Sequence, residues 1–347
     1  MTGGSSAGEV WAGLLEQVPD AAELTASQAA LVRSLLTTVG ALAQRGTHTL
    51  DLKIADAALR EMAEAFSVFG PYRDVAKVTM FGSARTQPDD PVYVLARELA
   101  ERLADDGWMV VTGAGPGIMQ AGTEGAGRER SFGVNIKLPM EQGANPIIAA
   151  DSKLVEMHYF FTRKLILVKE SDAYVILPGG FGTLDEAFEL LTLLQTGKAQ
   201  PAPVVLVETP GEGYWHQWQE FIDQQAIASG YVSHEDADFY SVVSSVDQAM
   251  EVIEGFYRVY HSSRMVGDLL VLRLKVAPTA AELAELNLRF ADIVLEGEIR
   301  PIAPMPPEVS SDDHLDLPRL GLRFNRLHFG RLRQLIDALN LIDGEER

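Results

Sequence analysis

A chain of 347 residues, 47% hydrophobic and 22% charged, has the size and composition of a soluble globular protein with a substantial core. Its formal net charge of −20 argues against a nucleic-acid partner, which would require a basic footprint. With no cysteine, disulfides and thiolate chemistry are excluded, and a reducing compartment suits the chain.

The first residues, MTGGSSAGEVWAGLLEQVPDAAEL, lack the basic start and long apolar block of a signal peptide. No apolar run reaches the ~18 residues of a membrane helix, so a cytoplasmic protein without membrane contact is expected. Residues 1–75 read as a helical segment. Ala29, Leu31, Val32, Leu35, Leu36 and Val39 recur at helical spacing within 25–42, and a second helix over 54–66 follows the break at Arg45-Gly46-Thr47. This segment reads as a packing or dimer-forming arm.

From Lys77 the pattern changes to short apolar runs alternating with helices. KVTMFG, WMVVTG, FGVNIKL, AYVIL and PVVLVE read as strands, with a last one near 239–243. Helices are expected over 91–103, 117–128, 158–169, 183–195, 214–229 and 246–260. Continuous apolar strands between helices indicate a parallel sheet covered on both faces. Residues 76–262 are therefore expected to form a doubly wound, Rossmann-like α/β domain that binds ligands beyond the carboxyl ends of its strands. Residues 263–347 read as a small α+β segment: strands at DLLVLRLKV and RLGLRFNR, helices over 280–294 and 331–341, and a Pro- and Asp-rich loop.

Three strand ends share one rim: FGSART, TGAGPGIMQAG and PGGFGTLDE. A helix N-terminus offers unpaired amides and partial positive charge, and glycine lets the backbone approach an anion. Gly179, Gly180, Gly182 and Thr183 therefore form a candidate phosphate loop. The same residues also fit a tight turn with Thr183 as N-cap. Thr183 and Glu186 have capping-box spacing, so Glu186 is either a cap or a site residue. Asp185 and Glu186 point ~100° apart, and at most one of them faces the site. Gly113-Ala114-Gly115-Pro116-Gly117 is G-x-G-x-G rather than a dinucleotide fingerprint, and no acid follows the next strand directly, which disfavours NAD. No P-loop pattern occurs. Arg163 suits bidentate contact with phosphate or carboxylate and equally suits a surface ion pair. The seven histidines show no metal-ligand spacing. Trp215 and Trp218 read as packing residues.

PGGFGTLDE with the upstream Arg163-Lys164 resembles the P-G-G-x-G-T-x-x-E and R-K signature of the LONELY GUY (LOG) family. FGSAR, TGAGPGIM and LPMEQGANP are similar to the longer bacterial members, and the resemblance covers about residues 76–262. Family members, often labelled lysine decarboxylases, are phosphoribohydrolases that cut the N-glycosidic bond of a nucleoside 5′-monophosphate. The resemblance implies Arg163 and Glu186 as the catalytic pair and Gly179, Gly180, Gly182 and Thr183 as the 5′-phosphate loop. It also implies Gly115, Gly117 and Ser83 along the nucleotide and a homodimer or higher homo-oligomer, and the hydrolysis itself requires no metal or other cofactor. The segments 1–75 and 263–347 depart from the short plant form, which leaves the base open between AMP and a cytokinin riboside monophosphate.

The chemistry fits such a pair. Loss of the base builds positive charge on the ribose, and a carboxylate beside the ring stabilises it and orients water. Two rival readings are a broad purine or pyrimidine nucleotide nucleosidase with regulatory terminal segments and a non-catalytic carrier of a nucleotide or molybdenum cofactor. A third, lysine decarboxylation, has only Lys164 to support it.

Overall fold

The structure, a computed structural model, describes residues 24–137 and 143–343. Leu138–Gln142, within the LPMEQGANP motif, lie outside the described residues, as do the first residues of the chain. The chain divides into two compact units, Met1–Arg60 and Glu61–Arg347.

In the first unit, helix α1 (Ala26–Gln44) starts at a reciprocal cap. Thr25 accepts from the Gln28 amide, and the Gln28 side chain accepts from the Thr25 amide. Helix α2 (Thr49–Phe69) begins in this unit. The first runs past the expected end at 42, and the second extends beyond 54–66 at both ends.

The second unit holds a seven-stranded parallel sheet in the order β4-β3-β2-β1-β5-β6-β7: β1 Lys77–Phe81, β2 Met109–Thr112, β3 Ser131–Ile136, β4 Leu154–Met157, β5 Ala173–Ile176, β6 Val204–Val207 and β7 Tyr240–Val243. Every residue of β1, β2, β5 and β6 is buried, because helices cover both faces. Alternation splits the strands between two cores. Phe81, Val111, Val134, Tyr174 and Leu206 face helices α5 (Phe160–Lys169) and α6 (Phe181–Gln195). Val78, Met80, Val110, Val175 and Val205 face α3 (Pro91–Asp105), α4 (Ile118–Ala126) and α8 (Val246–Phe256), with α7 (Tyr214–Phe221) lying between α6 and α8 in sequence.

The fold class is α/β, as the sequence indicates, with one strand more than expected. Strand β4 is an edge strand, only half buried, and its LVEM lacks the apolar continuity of the others. Five helices are shorter than expected: 117–128 becomes Ile118–Ala126, 158–169 starts at Phe160, 246–260 ends at Phe256, 280–294 ends at Arg289, and 214–229 ends its regular part at Phe221 and continues as a π-turn over Ile222–Ile227.

The C-terminal part is an antiparallel sheet in the order β10-β11-β9-β8: β8 Tyr260–Val266, β9 Leu269–Leu274, β10 Arg300–Pro301 and β11 Arg319–Leu322. Its core includes Phe256, Leu272, Phe290 and Leu335. Strand β8, YHSSRMV, escapes the sequence reading because its middle is polar and half buried. The Pro- and Asp-rich loop is pinned by Glu308, which is fully buried and accepts hydrogen bonds from Arg273 and Arg319. Among the described residues no helix is long and apolar enough to cross a membrane.

Candidate functional site

Strands β1 to β4 progress outward on one side of β1, and β5 returns to the other side. The order therefore reverses between β1 and β5, the place where doubly wound sheets bind their ligands. The loops after β1, β2 and β5 meet at this place. The Ser83 amide donates to the Pro178 carbonyl at 3.2 Å, and the Ser83 carbonyl accepts from the Ile118 amide at 3.0 Å. Ser83 thus joins all three glycine loops through its backbone, while its hydroxyl accepts from the Arg85 amide.

Two glycines are required by this close approach. Gly117 has φ +64° and ψ −131°, and a Cβ there would lie 2.3 Å from the Ser83 carbonyl oxygen. A Cβ on Gly179 would lie 2.1 Å from the Thr183 hydroxyl and 3.0 Å from the Ser83 amide. Gly117→Ala combines backbone strain with a clash against main chain. It is expected to destabilise the protein by about 3 kcal/mol or more, read as a fall in the denaturant midpoint. Gly115 abuts the Met119 side chain instead, a flexible neighbour. Asn145 secures this loop from the far side, donating to the carbonyls of Ala114 and Gly115.

Helix α6 starts two residues earlier than the expected Thr183. Gly180 is its N-cap, and no side chain caps it. The capping-box reading of Thr183 and Glu186 therefore fails, since Thr183 is the third helical residue and Glu186 the sixth. The first amide to bond back is that of Leu184, to the Gly180 carbonyl. The amides of Phe181, Gly182 and Thr183 precede it and have no acceptor within the helix. Gly180 and Gly182 are exposed, whereas Thr183 is buried with its hydroxyl against Gly179.

The two acids diverge as their helical spacing requires. The Asp185 side chain is 62% exposed and that of Glu186 only 11%. Lys164, on α5, gathers three carboxylates: Glu189 at 2.5 Å, Asp185 at 2.8 Å and Glu186 at 3.9 Å. Burial pushes the Glu186 carboxyl up to about 7, against the pull of the Lys164 and Arg163 charges, while Glu189 and Asp185 add to the rise. Burial alone would lower the Lys164 ammonium. Its hydrogen bonds to Asp185 and Glu189, together with the Glu186 charge, outweigh burial and raise it. A carboxyl poised near neutrality in a crevice can exchange a proton or stabilise positive charge at physiological pH.

Arg163 is anchored rather than splayed over the surface. Its Nε donates to the Val134 carbonyl at 3.0 Å, and a terminal nitrogen reaches the Gly113 carbonyl at 3.4 Å. The structure thus brings Ser83, Gly117, Gly179 and Thr183 into mutual contact and sets Arg163 and Glu186 within electrostatic reach of each other.

Three contributors escape sequence reading. The Tyr214 hydroxyl donates to the Gly179 carbonyl at 2.6 Å and holds the PGG turn from 35 residues away. The buried Glu208 takes the Trp215 amide at the start of α7, so that helix end is already occupied. The buried Glu61 accepts from the His158 amide at 2.8 Å and the Thr162 hydroxyl at 2.5 Å, fixing the start of the helix that carries Arg163. None of the three lies in a glycine or basic motif; Glu208 alone had a local signal, an acid closing a strand six residues before a helix. Trp215 is fully buried, and Trp218 packs edge-on against Trp215 and Tyr240, as packing residues do.

The family model described as possible lysine decarboxylase matches residues 116–253. Over 146 residues the chain is 34% identical to the probable cytokinin riboside 5′-monophosphate phosphoribohydrolase LOG6 of Arabidopsis thaliana, covering 41% of this chain and 68% of that protein. It is 33% identical over 147 residues to the cytokinin riboside 5′-monophosphate phosphoribohydrolase LOG1 of the same plant, covering 42% and 64%. Among solved structures, the molybdenum cofactor carrier protein of Chlamydomonas reinhardtii is 21% identical over 52% of this chain and 96% of that chain, with a TM-score of 0.37.

Proposed function

Since the chain belongs to the LONELY GUY (LOG) family of phosphoribohydrolases, we propose that it hydrolyses the N-glycosidic bond of a nucleoside 5′-monophosphate, AMP or a cytokinin riboside monophosphate. Water is consumed, and the free base and ribose 5-phosphate are released. The observation that carries this reading is Glu186, a nearly buried carboxyl held near neutrality beside Arg163 and Lys164, at the foot of an uncapped glycine-rich helix start.

The 5′-phosphate is taken by the amides of Phe181, Gly182 and Thr183, with Gly179 and Gly180 allowing its approach. Gly115, Gly117 and Ser83 border the nucleotide. With the phosphate fixed, the anomeric carbon lies toward Glu186, and binding geometry rather than new contacts lowers the barrier. The ionised carboxylate stabilises the positive charge that builds on the ribose as the base departs and orients the attacking water. Arg163 balances the charge of Glu186 and anchors ribose or phosphate oxygens.

Exposed Phe160, Phe161 and Leu165 on α5 and Phe188 on α6 support a homodimer packed through these helices. A monomer mass by light scattering would remove that part of the reading.

The test is incubation with AMP, other nucleoside monophosphates and isopentenyladenosine monophosphate, followed by chromatography of the liberated base. Release of base and ribose 5-phosphate from at least one is expected, and the preferred base names the substrate. Tight binding of AMP without any released base would point to a carrier instead.

A further inference from the structure

A cavity of about 470 Å³ lies away from the glycine-rich rim. It opens where β1 and β5 begin, at the opposite end of the strands that lead to Ser83 and Pro178. Its volume is within the usual range for small-molecule sites, about 300–1,000 Å³.

Two kinds of surface line it. Phe66 and Phe69 supply an apolar wall, with the Phe66 ring 45% exposed. Arg73, Lys77 and Lys169 supply positive charge, and Glu170 and Asp172 supply negative charge. The acids are committed. Glu170 pairs with Lys169 at 2.5 Å, and the Asp172 carboxylate accepts the Lys77 backbone amide at 2.9 Å. Lys169 also lies over the Phe66 ring, 5.2 Å from its centroid.

Lys77 and Arg73 are different. The Lys77 residue is 3% exposed, yet among the described residues its ammonium makes one hydrogen bond, to the Val75 carbonyl, and no ion pair. Burial lowers its affinity for the proton, the signature of a desolvated charge that its neighbours compensate only in part. The Arg73 backbone amide donates to the Gly70 carbonyl, and its guanidinium makes no hydrogen bond or ion pair among the described residues. Three cations and two carboxylates line the cavity, and Asp74 is a further acid within electrostatic reach of Lys77. That balance, in a chain of net charge −20, suits a monoanion better than a phosphate dianion.

We propose that this cavity is a second ligand site, one that takes a small aromatic monocarboxylate: its ring packs on Phe66 and Phe69, and its carboxylate is held by Lys77 and Arg73. The site is independent of the rim and of the reaction assigned to it.

Titration calorimetry of the full chain with 2-naphthoate tests the proposal, with 2-naphthalenemethanol as the neutral twin and inorganic phosphate as the anion without a ring. Naphthoate is expected to bind at one site and to raise the melting temperature. Affinity should fall about tenfold or more in both Lys77→Met and Arg73→Ala, and remain unchanged in Glu186→Gln. Arg73 is exposed, so its variant keeps the test open should Lys77→Met not fold. The proposal is overturned by no binding at millimolar naphthoate, by equal binding of the neutral twin or of phosphate, or by wild-type affinity in the Arg73 variant.

Discussion

Replacing Glu186 with Gln is expected to slow turnover about a thousandfold while making the protein more stable above pH 7. The two effects have one cause. In the unfolded chain the carboxyl ionises near its ordinary 4.5, and in the folded chain burial delays ionisation to about 7. Below 4.5 both states hold the proton, and the group contributes no pH dependence. Between 4.5 and 7 the unfolded chain ionises first, so the fold loses stability as pH rises. Above 7 the full penalty stands, on the order of 3 kcal/mol at about 1.4 kcal/mol per pH unit. Gln has the same shape and no charge, so its denaturation midpoint should exceed that of the wild type at pH 8 and match it near pH 4.

The kinetic arm has its own sign. If the ionised carboxylate does the work, log kcat/KM rises with unit slope below about pH 7 and then levels. The second ionisation of the substrate phosphate, near pH 6 for phosphate esters, also lies in this window. The variant separates the two: it should lose the limb near 7 and keep only the substrate's own. A Gln variant with wild-type turnover, or with an unchanged limb, would take the catalytic role away from Glu186.

The rim was legible because three glycine-bearing strand-to-helix junctions occur in order along the chain. Chain order alone also implies that the three loops share one edge of the sheet. Glu186 was not legible in the same way. Threonine followed by Glu three residues later has the spacing of a cap and of a site alike, and the start of α6 at Phe181 excludes the cap. The Lys164 cluster is invisible for another reason. It joins residues 21 to 25 positions apart on two helices, and no local pattern reports how α5 and α6 face each other. Strands β4 and β8 were lost because edge strands alternate or carry polar residues, which removes the continuous apolar signature that marked the central five. Tyr214 and Glu61 act across 35 and about 100 residues, as side chains holding the backbone or a hydroxyl of another element.

Arg163→Ala should cost a few hundredfold in kcat/KM and about 2 kcal/mol in stability, and Arg163→Lys should divide those losses. The stability term follows from what the side chain holds. Removing it strips the Val134 carbonyl of the Nε donor at 3.0 Å and withdraws a weaker contact from Gly113. It also vacates the space over Gly113, where a Cβ would lie 2.0 Å from the Arg163 terminal nitrogen. The catalytic term follows from charge. Arg163 is one of two cations that pull the Glu186 proton affinity down against burial. Without it the rising limb of the pH profile should move above 7, a change that a purely structural defect does not produce. Lysine restores the charge but not the planar fork. The Lys variant should therefore keep its limb near 7 while KM rises and the midpoint of unfolding falls. A limb fixed at the wild-type pH in the Ala variant would separate Arg163 from Glu186 and leave it only as the clamp between β3 and the second glycine loop.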